Sequence, residues 1–284
     1  MNNQDDLREI HEILLEMISD ISVLCEKHNI RFSLYCGTLL GAIREHSFIP
    51  WDDDADLTMP IDDYLRFFSI AQQELCDKYV VQSLCNTPAH PWMWMRVFRR
   101  NTCYLRHAWR ELPVHHGIAL DIYPMIGVAE SQAGFMLQKA VLNAAKALRH
   151  IEYWEIIGFP MDPAQRRIAK AITFLPGRVR RTMSRFLFHL GAFPPEKKTR
   201  CCTLDGAEFV PKYSTDDWKA MTKAPIDGRW FPAPVEFDHL LRIMYGNYLQ
   251  PPPEADRVGH GEPYGGVTVD TKKDYNWYLL GETE

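Results

Sequence analysis

The side chains of this sequence best suited to chemistry are four aspartates within residues 52–56. Like charges this close repel one another, and burying them is costly unless something positive lies among them. From Asp54 to Met59 polar and apolar residues alternate, which predicts a short strand with one acidic and one apolar face. Asp54 and Asp56 then project to the same side. Two carboxylates so placed form a hard-oxygen site for Mg²⁺ or a similar ion such as Mn²⁺, and such ions typically hold the phosphates of a nucleotide substrate.

The other two aspartates of the cluster are expected to play lesser roles. Asp52 shares the parity of Asp54 but lies at a Pro-Trp turn, so we expect it to support the site through hydrogen bonds. Asp53 is expected to point the other way. A calcium loop is the alternative for the cluster, but the EF-hand spacing is absent, because no glycine follows at the required place and no glutamate closes the loop.

A turn upstream of the aspartates is suited to binding phosphate. Residues 30–36 predict a strand, and residues 37–44 predict a tight turn that opens a helix. Gly37 permits close approach of a ligand, and the free N–H groups of a helix start bind phosphate. Thr38 and Arg44 are therefore candidate phosphate ligands, Arg44 through its guanidinium fork. A plain turn explains this segment alone equally well, whereas the turn followed by paired carboxylates is more specific.

A third acid, Asp121, interrupts an apolar strand predicted over residues 117–125. A lone aspartate in a core strand is expensive without a partner. A metal ion shared with Asp54 and Asp56 would supply that partner, so Asp121 is a candidate third ligand. The alternative is an aspartate on the exposed face of an edge strand.

Together these segments resemble the LicD family, which includes bacterial phosphorylcholine transferases and the fukutin-related proteins of animals. The resemblance covers roughly residues 25–265, including a C-terminal pattern between Ala233 and His260. The motifs that carry it are Gly37-Thr-Leu-Leu-Gly-Ala-Ile-Arg44, Ile49-Pro-Trp-Asp-Asp-Asp-Ala-Asp56 and Ile118-Ala-Leu-Asp-Ile-Tyr-Pro124. Cys36 departs from the family, which usually has a second glycine there, and Asn247 stands where an aspartate is common. We expect a modest change in the turn at Cys36 and no loss of the site.

The resemblance implies an α/β fold, with a nucleotidyltransferase-like mixed sheet flanked by helices and an appended helical region. It also implies a reaction. A hydroxyl of a glycan or lipid-linked glycan would attack the alcohol-bearing phosphorus of a CDP-activated donor such as CDP-choline, and CMP would leave. Relatives use other CDP-linked alcohols, such as ribitol. The alternatives are an enzyme that transfers the nucleotidyl group itself to a small molecule, and a non-catalytic protein that binds glycan or nucleotide.

The resemblance also suggests roles for individual residues. Asp121 would be the third metal ligand or the base that takes the acceptor proton. Arg96, on a strand predicted over residues 92–99, would neutralise the donor phosphates, with a surface salt bridge as the alternative. His260 is a weak further candidate. The expected site is thus Asp54, Asp56 and Asp121 for the metal and chemistry, and Gly37, Thr38, Arg44 and Arg96 for the donor.

Composition narrows the class of protein. The chain has 284 residues, 46% of them hydrophobic, which is enough for one sizeable core or two small ones. The net charge of −5 disfavours nucleic acid as a partner. No apolar run is long enough to span a membrane, and the N-terminus does not read as a signal peptide. Seven scattered cysteines suit reduced thiols in a cytoplasmic protein, and Cys201-Cys202 lacks the paired spacing of a zinc site.

The pattern of elements predicts three segments: a catalytic core over residues 1–130, a partly basic helical region over 131–200, and a loop-rich C-terminal segment over 201–284 that completes the site. Helices are predicted over 5–28 and 61–75. The strands predicted over 79–84, 92–99 and 117–123 would belong to one sheet.

The basic helical region allows two interpretations. Pro176-Gly177 splits its second half into two short helices in which arginines are interleaved with apolar residues. Such a pair can lie on an anionic membrane, which would place the protein peripherally at its inner face. An ordinary helical subdomain with a solvated basic face is the alternative.

A cluster of aromatic residues is a candidate box for a quaternary ammonium group, through cation–π attraction. Plain core packing is the alternative for these rings. They are Trp92, Trp94, Trp109 and Tyr123.

Overall fold

The computed structural model describes residues 4–88, 90–157, 163–204, 212–259 and 265–280. Within them lies a mixed seven-stranded sheet flanked by helices, which confirms the predicted fold class. The strands along the chain are β1 (Ser33–Leu34), β2 (Ala55–Pro60), β3 (Tyr79–Gln82), β4 (Met95–Arg99), β5 (Cys103–Arg106), β6 (Ala119–Gly127), β7 (Arg200–Thr203), β8 (Tyr213–Ser214), β9 (Met221–Ile226), β10 (Arg229–Pro234) and β11 (Val267–Asp270).

The main sheet has the order β1-β2-β6-β4-β3, and β7 joins it by pairing with the end of β6. Strands β2 and β6 run parallel, and the other pairs are antiparallel. The strands predicted over 79–84, 92–99 and 117–123 therefore do share one sheet. The third lies at its centre, so Asp121 is not on an edge strand.

One face of this sheet forms the core. The apolar residues of β2 and β6 lie on it beneath three helices: α1 (Gln4–Lys27), α2 (Cys36–Arg44) and α3 (Ile61–Glu74). Helix α1 repeats apolar residues at helical spacing, and this stripe is fully buried. The opposite face of the same strands carries Asp56 and Asp121, because successive side chains of a strand alternate between faces.

The helical region follows the central strand. It comprises α4 (Gln132–Ile157), α5 (Pro163–Thr173) and α6 (Gly177–Gly191). Helices α4 and α6 pack so closely that a Cβ added to Gly191 would lie only 2.8 Å from the side chain of Leu142. The buried Gln138 amide donates to the carbonyls of Gly127 (2.9 Å) and Gly191 (2.7 Å), which joins α4 to both the sheet and α6.

The C-terminal segment contains more regular structure than the loops predicted for it. Strands β9 and β10 form a hairpin around Asp227-Gly228, whose φ angles of 47° and 79° suit the two-residue turn that hairpins favour. Helix α7 (Phe237–Tyr245) follows, β11 pairs with β5, and α8 (Tyr275–Leu280) ends the described chain. The three-segment division stays a prediction, although β7 and β8 of the later chain complete the main sheet.

Several predicted boundaries shift. The strand predicted over 30–36 shortens to β1, and the strand predicted from Trp92 begins at Met95. The helix predicted over 37–44 begins one residue earlier, and those predicted over 5–28 and 61–75 are present with small shifts. Among the described residues, no helix is both long enough and apolar enough to cross a membrane.

Candidate active site

Two of the predicted acidic residues are direct neighbours. Asp56 of β2 lies in register with Asp121 of β6, and the two are 9% and 6% exposed. Asp54 immediately precedes β2 and is partly buried. The pKa of Tyr123 is well above its usual value because of burial and then the charges of Asp56, Asp121 and Asp54, in that order. Asp56 and Asp121, in register on neighbouring strands, therefore project to one side of the sheet, and the place of Asp54 beside them stays a prediction.

Asp121 has partners that the sequence did not assign to it. Arg96 Nε of β4 donates to its Oδ1 at 2.6 Å, and Trp94 Nε1 donates to its Oδ2 at 2.9 Å. Burial alone would lower the pKa of Arg96, but the Asp121 carboxylate outweighs it, so the pKa of Arg96 is raised. This is a buried ion pair rather than the surface salt bridge considered for Arg96. A charged partner for Asp121 is therefore present without a metal ion.

The start of α2 is bound to the same strand. The backbone N–H of Tyr35 donates to the carbonyl of Asp56 at 3.1 Å, and the backbone N–H of Asp56 donates to Thr38 Oγ1 at 2.8 Å. Between them Cys36 has a φ of 43°, a left-handed conformation that glycine adopts most easily. The first turn of α2 is thus held against the acidic residues by the hydrogen bond between Thr38 and the backbone of Asp56. The phosphate-binding role of Thr38 stays a prediction.

Two glycines allow the loop of residues 45–52 to approach α2. A Cβ on Gly37 would lie 2.6 Å from Oδ2 of Asp52, and one on Gly41 would lie 2.6 Å from the carbonyl of Ser47. Asp52 therefore places its carboxylate beside the helix start, where negative charge is favourable. This agrees with a supporting position for Asp52, and it means that a protein carboxylate lies next to the proposed phosphate cradle at Gly37.

Arg44 lies at the opposite end of α2, about 12 Å along the axis from Cys36 at 1.5 Å per residue. Its side chain is 9% exposed and pairs with Glu45 at 2.6 Å. It also donates to the carbonyl of Tyr248 at 2.9 Å and lies over the ring of Trp51. These contacts fasten α2 to the C-terminal segment. The phosphate role of Arg44 stays a prediction.

The comparison with known families agrees with this geometry. Residues 29–165, which include every predicted site residue except His260, match the family model described as LicD/FKTN/FKRP, nucleotidyltransferase domain. These residues are a LicD-family nucleotidyltransferase domain. The family predicted from the motifs is confirmed.

Similarity to the LicD proteins also extends beyond that domain. The chain is 27% identical over 270 residues to the lipopolysaccharide cholinephosphotransferase LicD of Haemophilus influenzae, covering 89% of this chain and 95% of the relative. Uncharacterized proteins of Rickettsia typhi and Rickettsia prowazekii are 38% and 37% identical over 60 residues, 21% of this chain and 19% and 23% of theirs. The predicted enzyme class, a phosphotransferase of the LicD type, is confirmed.

Residues outside the matched LicD domain also reach the site. Tyr245, the last residue of α7, is 43% exposed, but its hydroxyl end is turned inward. Burial of that end, followed by the neighbouring Cys36, Asp56 and Asp52, raises its pKa. Tyr245 belongs to the C-terminal family pattern of the sequence, which by itself indicates no role for it. His260, the weak candidate of the same segment, lies outside the described residues.

Asp53 also has a defined place. It is 3% exposed, and its expected direction away from the acid pair stays a prediction. Its Oδ2 accepts a hydrogen bond from the hydroxyl of Tyr104 on β5, and a Cβ on Gly259 would lie 2.6 Å from the same oxygen. Asp53 therefore joins the strand of the site to β5 and to the C-terminal segment.

The four aromatic rings do not enclose one open box. The guanidinium of Arg96 lies 4.6 Å from the ring centre of Trp92, and that of Arg106 lies 4.5 Å from the ring centre of Trp109. Two of the rings thus already bind cations of the chain itself. The ring centres of the other two, Trp94 and Tyr123, lie 5.2 Å apart on the acidic face. Trp94 is two residues before Arg96, so strand alternation could have predicted that both lie on this face.

A magnesium ion could be held by Asp54 and Asp56 alone, or by these two together with Asp121, and the structure fits the first arrangement better. Asp54 and Asp56 supply the one or two carboxylates through which Mg²⁺ is usually held beside substrate phosphates. Across the ranges that the structure describes, no three Asp, Glu, His or Cys side chains gather around one point. Both oxygens of Asp121 already accept hydrogen bonds. The metal, and Asp121 as its third ligand, stay predictions, with the paired Asp54 and Asp56 as the better fit.

Proposed function

We propose that this chain transfers a phospho-alcohol, with phosphocholine as the first choice, from a CDP-activated donor to a hydroxyl of a glycan. The observation that carries the proposal is the buried Asp56–Asp121 pair beside the start of α2 in a LicD domain. The choice of phosphocholine and of a glycan acceptor is supported by the Haemophilus influenzae relative, which is named for transfer of cholinephosphate to lipopolysaccharide and matches along nearly its whole length.

The reaction would proceed by a single displacement at phosphorus. The glycan hydroxyl forms a bond to the phosphorus that bears the alcohol, and the bond from that phosphorus to the oxygen of CMP breaks. Asp121, whose orientation is fixed by Arg96 and Trp94, takes the proton of the attacking hydroxyl. The backbone N–H groups at Gly37 and Thr38 bind donor phosphate oxygens.

A divalent ion belongs to the same proposal. Asp54 and Asp56 would hold Mg²⁺ or Mn²⁺, which when bound offsets the negative charge of the donor phosphates. The pair presents its carboxylates at the end of a buried strand. The strand would therefore hold both in a fixed relation, as such a site requires.

The compartment is also part of the proposal. All seven cysteines lie within the described residues, and none forms a disulfide bond. Reduced thiols are usual in the cytoplasm. We therefore place the enzyme in the cytoplasm. A fusion of the chain to a reporter that is active in only one compartment would test this assignment.

The test of function is product analysis with purified protein, Mg²⁺, CDP-choline and a glycan acceptor. Asp54→Asn and Asp56→Asn are each expected to lower CMP release about a hundredfold or more while the protein stays folded. Asp62→Asn is the matched control, because Asp62 is exposed in the first turn of α3 and loses the same charge. Wild-type activity in either site variant would contradict the assignment.

The same assay separates the alternatives. Release of pyrophosphate from a nucleoside triphosphate, with no CMP from any CDP-alcohol, would indicate nucleotidyl transfer. Nucleotide-dependent stabilisation without turnover would indicate a binding protein. A panel of CDP-choline, CDP-glycerol, CDP-ribitol and CDP-ethanolamine in thermal-shift measurements identifies the alcohol.

A further inference from the structure

Helix α6 exposes a continuous apolar stripe. Val179, Met183, Phe186 and Leu190 are 42%, 41%, 66% and 53% exposed. Their spacing of four, three and four residues places them on one side of the helix. Phe174, in the turn before α6, is 77% exposed and adds to the apolar surface. We call these five residues the α6 stripe.

The stripe is not the face with which α6 packs on the protein. Ser184 and Phe188 are buried on the other side of the helix, where the Ser184 hydroxyl donates to the carbonyl of Ala145 at 2.8 Å. Arg180 is buried on that side as well. The packing of α6 on α4 is therefore complete without the stripe, and large apolar side chains in contact with water usually mark a binding surface.

The charge around the stripe has one sign. Residues 163–195 contain seven Lys and Arg residues and no Asp or Glu, in a chain whose net charge is −5. Not all of them are available to a partner. Arg180 is buried and Arg185 donates to the carbonyl of Cys85 at 3.1 Å, whereas Arg178 is exposed.

We propose that the α6 stripe docks on an anionic lipid surface. The apolar side chains would enter the boundary between headgroups and acyl chains, with Arg178 near the lipid phosphates. A second copy of the chain is a poorer occupant. A two-fold interface would bring the same basic segment against itself, with no acidic side chain in either segment to pair with it.

This surface differs from the one that the sequence alone predicts. The interleaved arginines and apolar residues of the sequence include Arg180 and Phe188, which the fold buries. They omit Met183 and Leu190, which the fold exposes beside Val179 and Phe186. The structure thus assigns the lipid-facing side chains by which face of α6 the core leaves uncovered.

The test is flotation of the full chain with vesicles of phosphatidylglycerol and phosphatidylcholine, measured without donor or acceptor. Wild-type protein is expected to bind the phosphatidylglycerol vesicles at low salt and to dissociate as salt rises. The double variant Phe186→Ser/Leu190→Ser should bind the vesicles at least about tenfold more weakly, because each serine buries less apolar area in the lipid than the side chain it replaces. Val23→Ser is the matched control, because Val23 is 67% exposed on α1.

The contribution of positive charge to vesicle binding is tested separately, with its own control variant. Arg178→Gln is expected to weaken binding about fivefold, as one basic residue near an anionic surface contributes on the order of 1 kcal/mol. Lys223→Gln, an exposed lysine of β9, should leave binding unchanged. Activity on a short soluble acceptor and the melting temperature of each variant report whether its fold is intact.

Three results would overturn the proposal. They are the absence of wild-type binding at low salt, equal binding by the Phe186/Leu190 variant, and a wild-type dimer that this variant converts to monomer without any vesicle binding. The last would assign the stripe to a second copy. Because no substrate is present, failure of the proposed reaction would leave the vesicle result unaffected.

Discussion

The ion pair between Arg96 and Asp121 permits a stability prediction with a worked magnitude. Replacing Arg96 with methionine removes a guanidinium whose Nε lies 2.6 Å from the carboxylate, and both side chains are 8% exposed. Breaking a buried pair by removing one partner typically costs about 3–5 kcal/mol, because the remaining charge is left uncompensated. Trp94 would still donate to Asp121, and methionine keeps part of the packing on Trp92. We therefore expect a loss of about 4 kcal/mol in the free energy of unfolding.

Urea unfolding of a double-mutant cycle measures this. Arg96→Met and Asp121→Asn should each be strongly destabilised, while the double variant should cost about 2–3 kcal/mol less than the sum, because neither charge is then left alone. Arg100→Met is the control, because Arg100 is an exposed arginine that follows the same strand, and it should change stability little.

Two outcomes would refute this reasoning. One is a cost below about 1 kcal/mol for Arg96→Met, which would mean that solvent screens the pair. The other is simple additivity in the cycle. Addition of Mg²⁺ gives a further reading. If Asp121 is a metal ligand, Mg²⁺ should stabilise Arg96→Met more than the wild type, because the ion would replace the missing positive charge.

Two further predictions concern stability. The free energy of unfolding of Cys36→Gly should exceed that of Cys36→Ala by at least about 0.5 kcal/mol, because only glycine adopts the left-handed φ of 43° without strain. Equal urea midpoints for the two variants would contradict this. Burial lowers the pKa of His115 and of His116 from 6.5 to about 4. The stability that neutral histidines confer is present above pH 6.5 and is lost as pH falls towards 4, by about 2 kcal/mol each between pH 7 and 5. His116→Gln should therefore lose less over that interval than a variant of the exposed His189, and equal losses would contradict the linkage.

Much of the acidic site could be predicted from the sequence because it depends on local patterns. Alternation placed Asp54 and Asp56 on one side of a strand, and a lone acid in an apolar run marked Asp121 as a candidate site residue on an otherwise apolar strand. The glycine at residue 37 marked the start of a helix. Each of these inferences needs only the periodicity of a strand or the freedom of a glycine.

The partners of these residues were not predictable, because they depend on long-range register. Arg96 meets Asp121 only because β4 pairs with β6 in one particular register. Arg44 contacts the carbonyl of Tyr248, which is 204 residues away along the chain. The hairpin at Asp227-Gly228 is different, because this dipeptide is a local signal from which the turn could have been predicted.

The orientation of α6 shows a second limit. Its arginines and apolar residues alternate in a way that permits more than one buried face. Which face is buried depends on α4, through contacts such as that of Leu142 with Gly191. A helical pattern therefore predicts that a helix is amphipathic without deciding which side another element covers.

Residues 259–271 contact parts of the chain made much earlier, and this bears on when the enzyme becomes active during its synthesis. The hydroxyl of Thr271 donates to Glu9 of α1, Gly259 packs on Asp53, and β11 completes the pairing of β5. A ribosome that has made the whole LicD domain has not yet supplied these contacts. The nascent chain must therefore wait, with its acidic strand incompletely enclosed, until residues 259–271 have been added. Premature termination products would then be substrates for proteases rather than partial enzymes.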